Sequence, residues 1–130
     1  MLLPVTLCTA AALAILSIWL MVRIGGLRNK AKIFVGDGGN DAIIRRMRAQ
    51  ANFVESAPFV FALILAVELA GRGGAWLPYV AGLYVVGRVA HAFGMEESGP
   101  GMARFAGTII SMLTLLGLAI VAVLITTGVM

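Results

Sequence analysis

The chain has 130 residues, of which 61% are hydrophobic and only 12% charged, with a formal net charge of +4. An ordinary soluble domain is about half apolar and about a quarter charged, so a disordered chain, a collagen-like chain and an ordinary cytosolic enzyme are excluded. So few charges cannot cover a globule of this size, and lipid is the solvent this composition calls for. The length allows one domain, residues 1–130. A basic balance often signals nucleic acid. Here the charges fall between apolar runs and form no aromatic-interleaved surface, so no nucleic-acid partner is expected. Cys8 is the single cysteine, which excludes an internal disulfide and any cysteine-rich metal site; it reads as a small apolar residue.

Four apolar runs follow in chain order, and they predict an all-α integral membrane protein with four transmembrane helices near residues 2–24, 41–70, 75–95 and 104–128. The first, Leu2 to Val22, carries no charge. It matches the roughly 20 apolar residues a bilayer crossing needs. Its basic residues follow it instead of preceding it, so it reads as a retained helix and not as a signal peptide. The second, Phe53 to Ala70, is interrupted by Glu55, Pro58 and Glu68 and extends back as an amphipathic stretch to about Asp41. Asn40 or Asp41 is its expected N-cap, after the Gly36-Asp37-Gly38-Gly39 turn. The third, Ala75 to Met95, carries Arg88 and His91. The short Gly71-Arg72-Gly73-Gly74 link makes it an antiparallel neighbour of the second. The fourth, Phe105 to Met130, is uncharged and follows the polar breaker Glu96-Glu97-Ser98-Gly99-Pro100-Gly101.

Lysine and arginine counting sets the orientation. With the loops after runs one and three on one side, that side holds nine of the ten basic residues and the other only Arg72. Both termini are therefore expected to face the periplasm or a lumen, and both loops the cytoplasm. Trp76 and Tyr79 suit the outer interface, and Trp19 the inner one.

Charges inside membrane helices cost roughly 3 kcal/mol each on insertion scales and are kept where they pair or serve a site. Arg45, Arg48, Asn52 and Glu55 are spaced to share one face of the second helix. Arg88 and His91 are three apart on the third, and Arg104 opens the fourth. All lie at one membrane depth. The plain alternative is interfacial snorkelling with structural pairs such as Glu55 with Arg88 or Arg48. Likewise Glu68 is expected at the outer interface, near Arg72 at i+4. Arginine forks suit carboxylates or phosphates, a glutamate suits an amine, and an asparagine bonds a peptide-like amide. The set fits a small, net-anionic zwitterion with amide groups. Glutathione has that composition; a phospholipid headgroup and an acidic peptide remain open on this chemistry. No metal-ligand constellation is present, since His91 is the only histidine.

The stretch Arg45-Arg46-Met47-Arg48-Ala49-Gln50-Ala51-Asn52-Phe53-Val54-Glu55, followed by Pro58-Phe59, resembles the signature of the membrane-associated proteins in eicosanoid and glutathione metabolism. So do Gly87-Arg88-Val89-Ala90-His91 and Arg104, sixteen residues after Arg88. The resemblance covers the whole chain and is greatest to the shorter bacterial members. It implies a four-helix membrane protein, a homotrimer in a bacterial inner membrane, with glutathione as co-substrate bound between subunits near the cytoplasmic side. It implies that Arg48, Asn52 and Glu55 hold glutathione and that Arg88 and His91 complete the pocket, with Arg45 beside them. It further implies that Arg104 stabilises the thiolate and that Arg28 contributes from the adjacent subunit. A hydrophobic electrophile or lipid hydroperoxide would enter from the bilayer. Where several members have a tyrosine after the third-helix histidine, this chain has Phe93, Gly94 and Met95. Phe105 stands where some have serine, and Ala51 where some have arginine. Two functions are thus expected: a glutathione transferase or peroxidase, or a non-catalytic protein of the same fold that binds glutathione or anionic lipid. A transporter fits less well, because the charges gather at one face instead of forming a line across the membrane.

Overall fold

The computed structural model describes residues 1–97, 99 and 101–130. Among them it contains four α-helices and no strand: α1 Pro4–Ala31, α2 Asp41–Leu69, α3 Leu77–Gly94 and α4 Met102–Thr126. α1, α2 and α4 are long and apolar enough to cross a membrane. α3 has 18 residues, a rise of about 27 Å, and Arg88 and His91 lower its apolar character. The bundle is all-α, as the apolar runs require.

The helix ends show what the runs alone conceal. α1 continues to Ala31, past the expected end near residue 24, and closes on Lys32 in the left-handed region (φ 59°), whose N–H returns to the Arg28 carbonyl. Arginine and lysine are good helix formers, and cations suit a helix C-terminus; hydropathy marks where the apolar run stops, not the helix. Asn40 caps α2: its Oδ1 accepts from Ile43 N at 3.1 Å. The glycines at 36, 38 and 39 all have positive φ, which lets the chain turn sharply into that cap. Pro58 lies inside α2 without ending it.

Glu68 does not pair with Arg72 as expected. Its carboxylate accepts from Val5 N at 3.0 Å, Thr6 N at 2.7 Å and Thr6 Oγ1 at 2.6 Å. The first residue flanking α1 is Leu3, which has no capping side chain. Unpaired N–H groups at a helix start demand an acceptor, and the end of α2 supplies one from sixty-odd residues away.

α1 lies mainly against α2 and α3 mainly against α4, while α1 and α4 do not touch. The core is filled by Leu13, Leu16 and Leu20 of α1, Val60, Ile64 and Val67 of α2, Leu77 and Tyr84 of α3, and Leu118 of α4. The α3–α4 seam is closed by glycines. A Cβ on Gly87 would stand 2.9 Å from Ile110, and one on Gly107 2.6 Å from the His91 Cβ. Gly94 lies directly against the Arg104 backbone. That close approach sets Arg88, His91 and the start of α4 side by side.

Candidate functional site

Where α1 and α3 finish and α2 and α4 begin, a cleft of about 600 Å³ opens between α2, α3 and α4. Arg48, Ala51, Asn52 and Glu55 line it from α2, and His91 and Met95 from the end of α3. Gly101, Met102, Arg104, Phe105 and Thr108 line it from α4 and its cap. Five of the residues singled out by spacing and charge, Arg48, Asn52, Glu55, His91 and Arg104, thus meet around one space although they come from three helices.

Arg88 stands behind this wall, not in it. It is 2% exposed. Its guanidinium donates to Asn52 Oδ1 and, at 2.8 Å, to the Gly107 carbonyl. Its Nε has no partner among the described residues. The guanidinium carbon lies 6.0 Å from the Tyr84 ring centroid, and the Tyr84 hydroxyl hydrogen-bonds Ser56 Oγ at 2.6 Å. Arg88 therefore fixes the Asn52 amide from below and ties α2, α3 and α4 together. The expected pairing of Glu55 with Arg88 or Arg48 is absent. Among the described residues, Glu55, Arg48 and Arg104 form no ion pair.

Arg45 and Arg28 are not brought to the cleft. Arg45 pairs with Asp41 and donates to the Glu96 carbonyl at 3.1 Å. Arg28 holds the loop after α1, donating to the carbonyls of Ile33 at 3.2 Å and Gly36 at 2.5 Å. It lines a second groove, on the adjoining face of α2, with Met47, Gln50 and Val54; Ala51 borders both.

Charge decides what such a cleft can hold. Two arginines line it beside the carboxylate of Glu55, with Arg88 behind the wall and a carboxylate oxygen of Glu97 close to Gly101. A buried guanidinium without a carboxylate is costly unless a counter-charge arrives. Arginine and glutamate side chains on one lining can pair with an anionic and a cationic group respectively. Among the lining residues, Arg104 offers the one free cation on α4. A fixed cation in a dry site stabilises a thiolate over its thiol.

A description of the MAPEG family matches the chain over residues 6–124. The chain belongs to the MAPEG family. No curated protein matches it. Membership agrees with the membrane helical bundle in a lipid setting and supports, in general terms, a glutathione-related role.

Within this MAPEG chain, some lining residues escaped the sequence reading. Met95 was noted only in the stretch that follows His91, and Met102 and Thr108 were not singled out. Their signal is periodicity: Gly101, Arg104, Phe105 and Thr108 are spaced at three and four along α4 and share one face. Phe93 does not enter the cleft. It packs on Trp19 at 5.4 Å between ring centroids, under the Arg23 guanidinium. Among the described residues Thr108 carries the one hydroxyl on the lining, and it donates to the Arg104 carbonyl at 3.0 Å.

Proposed function

We propose that the cleft takes up glutathione and lowers the pKa of its thiol, making the protein a membrane-bound glutathione transferase or peroxidase for hydrophobic electrophiles or lipid hydroperoxides. The observation that carries this reading is the meeting of Arg48, Asn52, Glu55, His91 and Arg104 around one opening, backed by the buried, carboxylate-free Arg88. Arg48 would balance a ligand carboxylate, and Glu55 its ammonium group. Asn52, aimed by Arg88, would bond a peptide amide. His91 makes no side-chain hydrogen bond among the described residues and is free to bond a ligand. Arg104 would act on the thiolate. A free thiol has a pKa of about 8.5, so a nearby cation raises the nucleophilic fraction at neutral pH.

Met102 and Phe105, 79% and 63% exposed, form an apolar lip beside Arg104. In the bilayer this lip would meet acyl chains, and an apolar second substrate would arrive along it. In this reading the protein is a single four-helix domain, with α3 as a fourth crossing and both termini outside. The cleft faces the cytoplasm, and a trimer sets Arg28 of one subunit near a neighbour's cleft. The basic residues gathered at the cleft end support that orientation. Phe93, Gly94 and Met95, which stand where several members have a tyrosine, favour one second reading, a protein that binds glutathione without turnover. A glutathione titration with an electrophile screen separates them: saturable thiolate formation with product release supports an enzyme, and binding without thiolate supports the second reading.

A further inference from the structure

Outside the cleft, one carboxylate joins three parts of the chain. Glu96 lies just beyond α3. Its Oε1 accepts from Arg23 Nη2 of α1 and, at 2.8 Å, from Arg46 Nε of α2. Its backbone carbonyl accepts from Arg45 Nη1 at 3.1 Å. Arg46 Nη1 also donates to the Arg23 carbonyl at 2.6 Å. Arg23 is held from its other side, its guanidinium carbon 4.7 Å from the Trp19 ring centroid and 5.2 Å from that of Phe93. An isolated surface ion pair contributes little, but a network of fixed arginines contributes more. Here two arginines share one oxygen, and one of them is packed on aromatic rings.

The two residues before Glu96 connect this junction to the cleft. Met95 is on its lining. Gly94 packs directly on the Arg104 backbone. Because α1 does not touch α4, Glu96 is a route by which α1 acts on the α4 start. We infer that Glu96 is a positioning residue: its carboxylate fixes the Met95 wall and the Arg104 backbone relative to Arg48, Asn52 and Glu55 on α2. The ligand consequence rests on the thiol-activating reading of the cleft, whereas the clamp itself rests only on the geometry of Glu96, Arg23 and Arg46.

Two readouts on the full chain in detergent test it. The first is amide exchange without ligand at Met95, Glu96 and Glu97, whose N–H groups donate to the carbonyls of His91, Phe93 and Gly94. The second is titration with glutathione, read as half-saturation and as thiolate yield at saturation. Glu96→Gln is expected to speed that exchange about tenfold, to raise the half-saturating concentration roughly fivefold and to lower the thiolate yield. Glu96→Asp should recover part of both effects, and Arg46→Gln should reproduce part of them. Asp37→Asn, which removes a carboxylate that accepts from Gly39 N and, among the described residues, pairs with none of the junction residues, should change neither. Unaltered exchange in Glu96→Gln overturns the inference. So does faster exchange with unaltered half-saturation and yield, or an Asp37→Asn variant that behaves like Glu96→Gln. If the unmodified protein forms no thiolate while Glu96→Gln still exchanges faster, the clamp stands and the thiol-activating reading falls.

Discussion

Arg88 shows most clearly how a residue's surroundings decide its task. It was expected in the pocket, as a ligand contact. Instead it is buried behind Asn52, donating to that amide and to the Gly107 carbonyl. Spacing along α2 places Asn52 on one face with Arg48 and Glu55, but nothing in spacing reveals its partner on another helix. That depends on how α2, α3 and α4 cross; the close contacts at Gly87 and Gly107 set the approach of α3 to α4. Arg88→Met keeps an unbranched apolar stem and removes the guanidinium. It should cost about 2 kcal/mol, the scale of a lost charged hydrogen bond, seen as a lower Tm in detergent. It should also weaken glutathione binding without abolishing thiolate formation in whatever ligand remains bound. Glu55→Ala should act differently: its carboxylate is exposed and unpaired, so Tm should hardly move while binding falls at least tenfold. A Tm loss in Glu55→Ala equal to that of Arg88→Met would show that Glu55 is structural.

At the scale of elements, hydropathy and the N-cap signal located all four helices and the start of α2. They did not locate the end of α1 or the cap at its start. Glu68 is distant in sequence from Val5 and Thr6, so only the packing of α2 along α1 brings the carboxylate to those amides. Glu68→Ala should lower Tm and speed amide exchange at Val5 and Thr6, leaving the cleft at the opposite end unchanged. Equal exchange in both proteins would remove this role. The α3–α4 seam makes a second demand. Gly107→Val places two methyl groups where a single Cβ already meets His91 within 2.6 Å. Overpacking of this kind costs about 1–3 kcal/mol. It should push α4 off α3 and lower both Tm and glutathione affinity, because His91 and Arg104 stand on either side of that seam. Glycine at 87, 94 and 107 reads in sequence only as low helix propensity; its use as a spacer shows once the two helices are seen together.

For the molecule as a whole, the sequence was most legible where the physics is coarse. Lipid as solvent, four apolar segments and a concentration of cations at one end all follow from composition and order. The cleft follows from that concentration, since three helix ends bring their charges to one level. Less legible were the tasks divided among the arginines: Arg23 and Arg46 clamp Glu96, Arg28 and Arg45 hold loops and helix ends, and Arg48 and Arg104 remain free at the opening. Charge alone makes these residues equivalent, and only their partners distinguish them. The most direct measurement is a glutathione titration of the detergent-purified protein near neutral pH, following ultraviolet thiolate absorbance, beside the Arg104→Ala variant. The expected result is a saturable thiolate signal that disappears in Arg104→Ala while glutathione binding remains measurable. A folded protein that gives no such signal, or an Arg104→Ala variant that keeps it in full, would contradict the assignment of this cleft as a thiol-activating site.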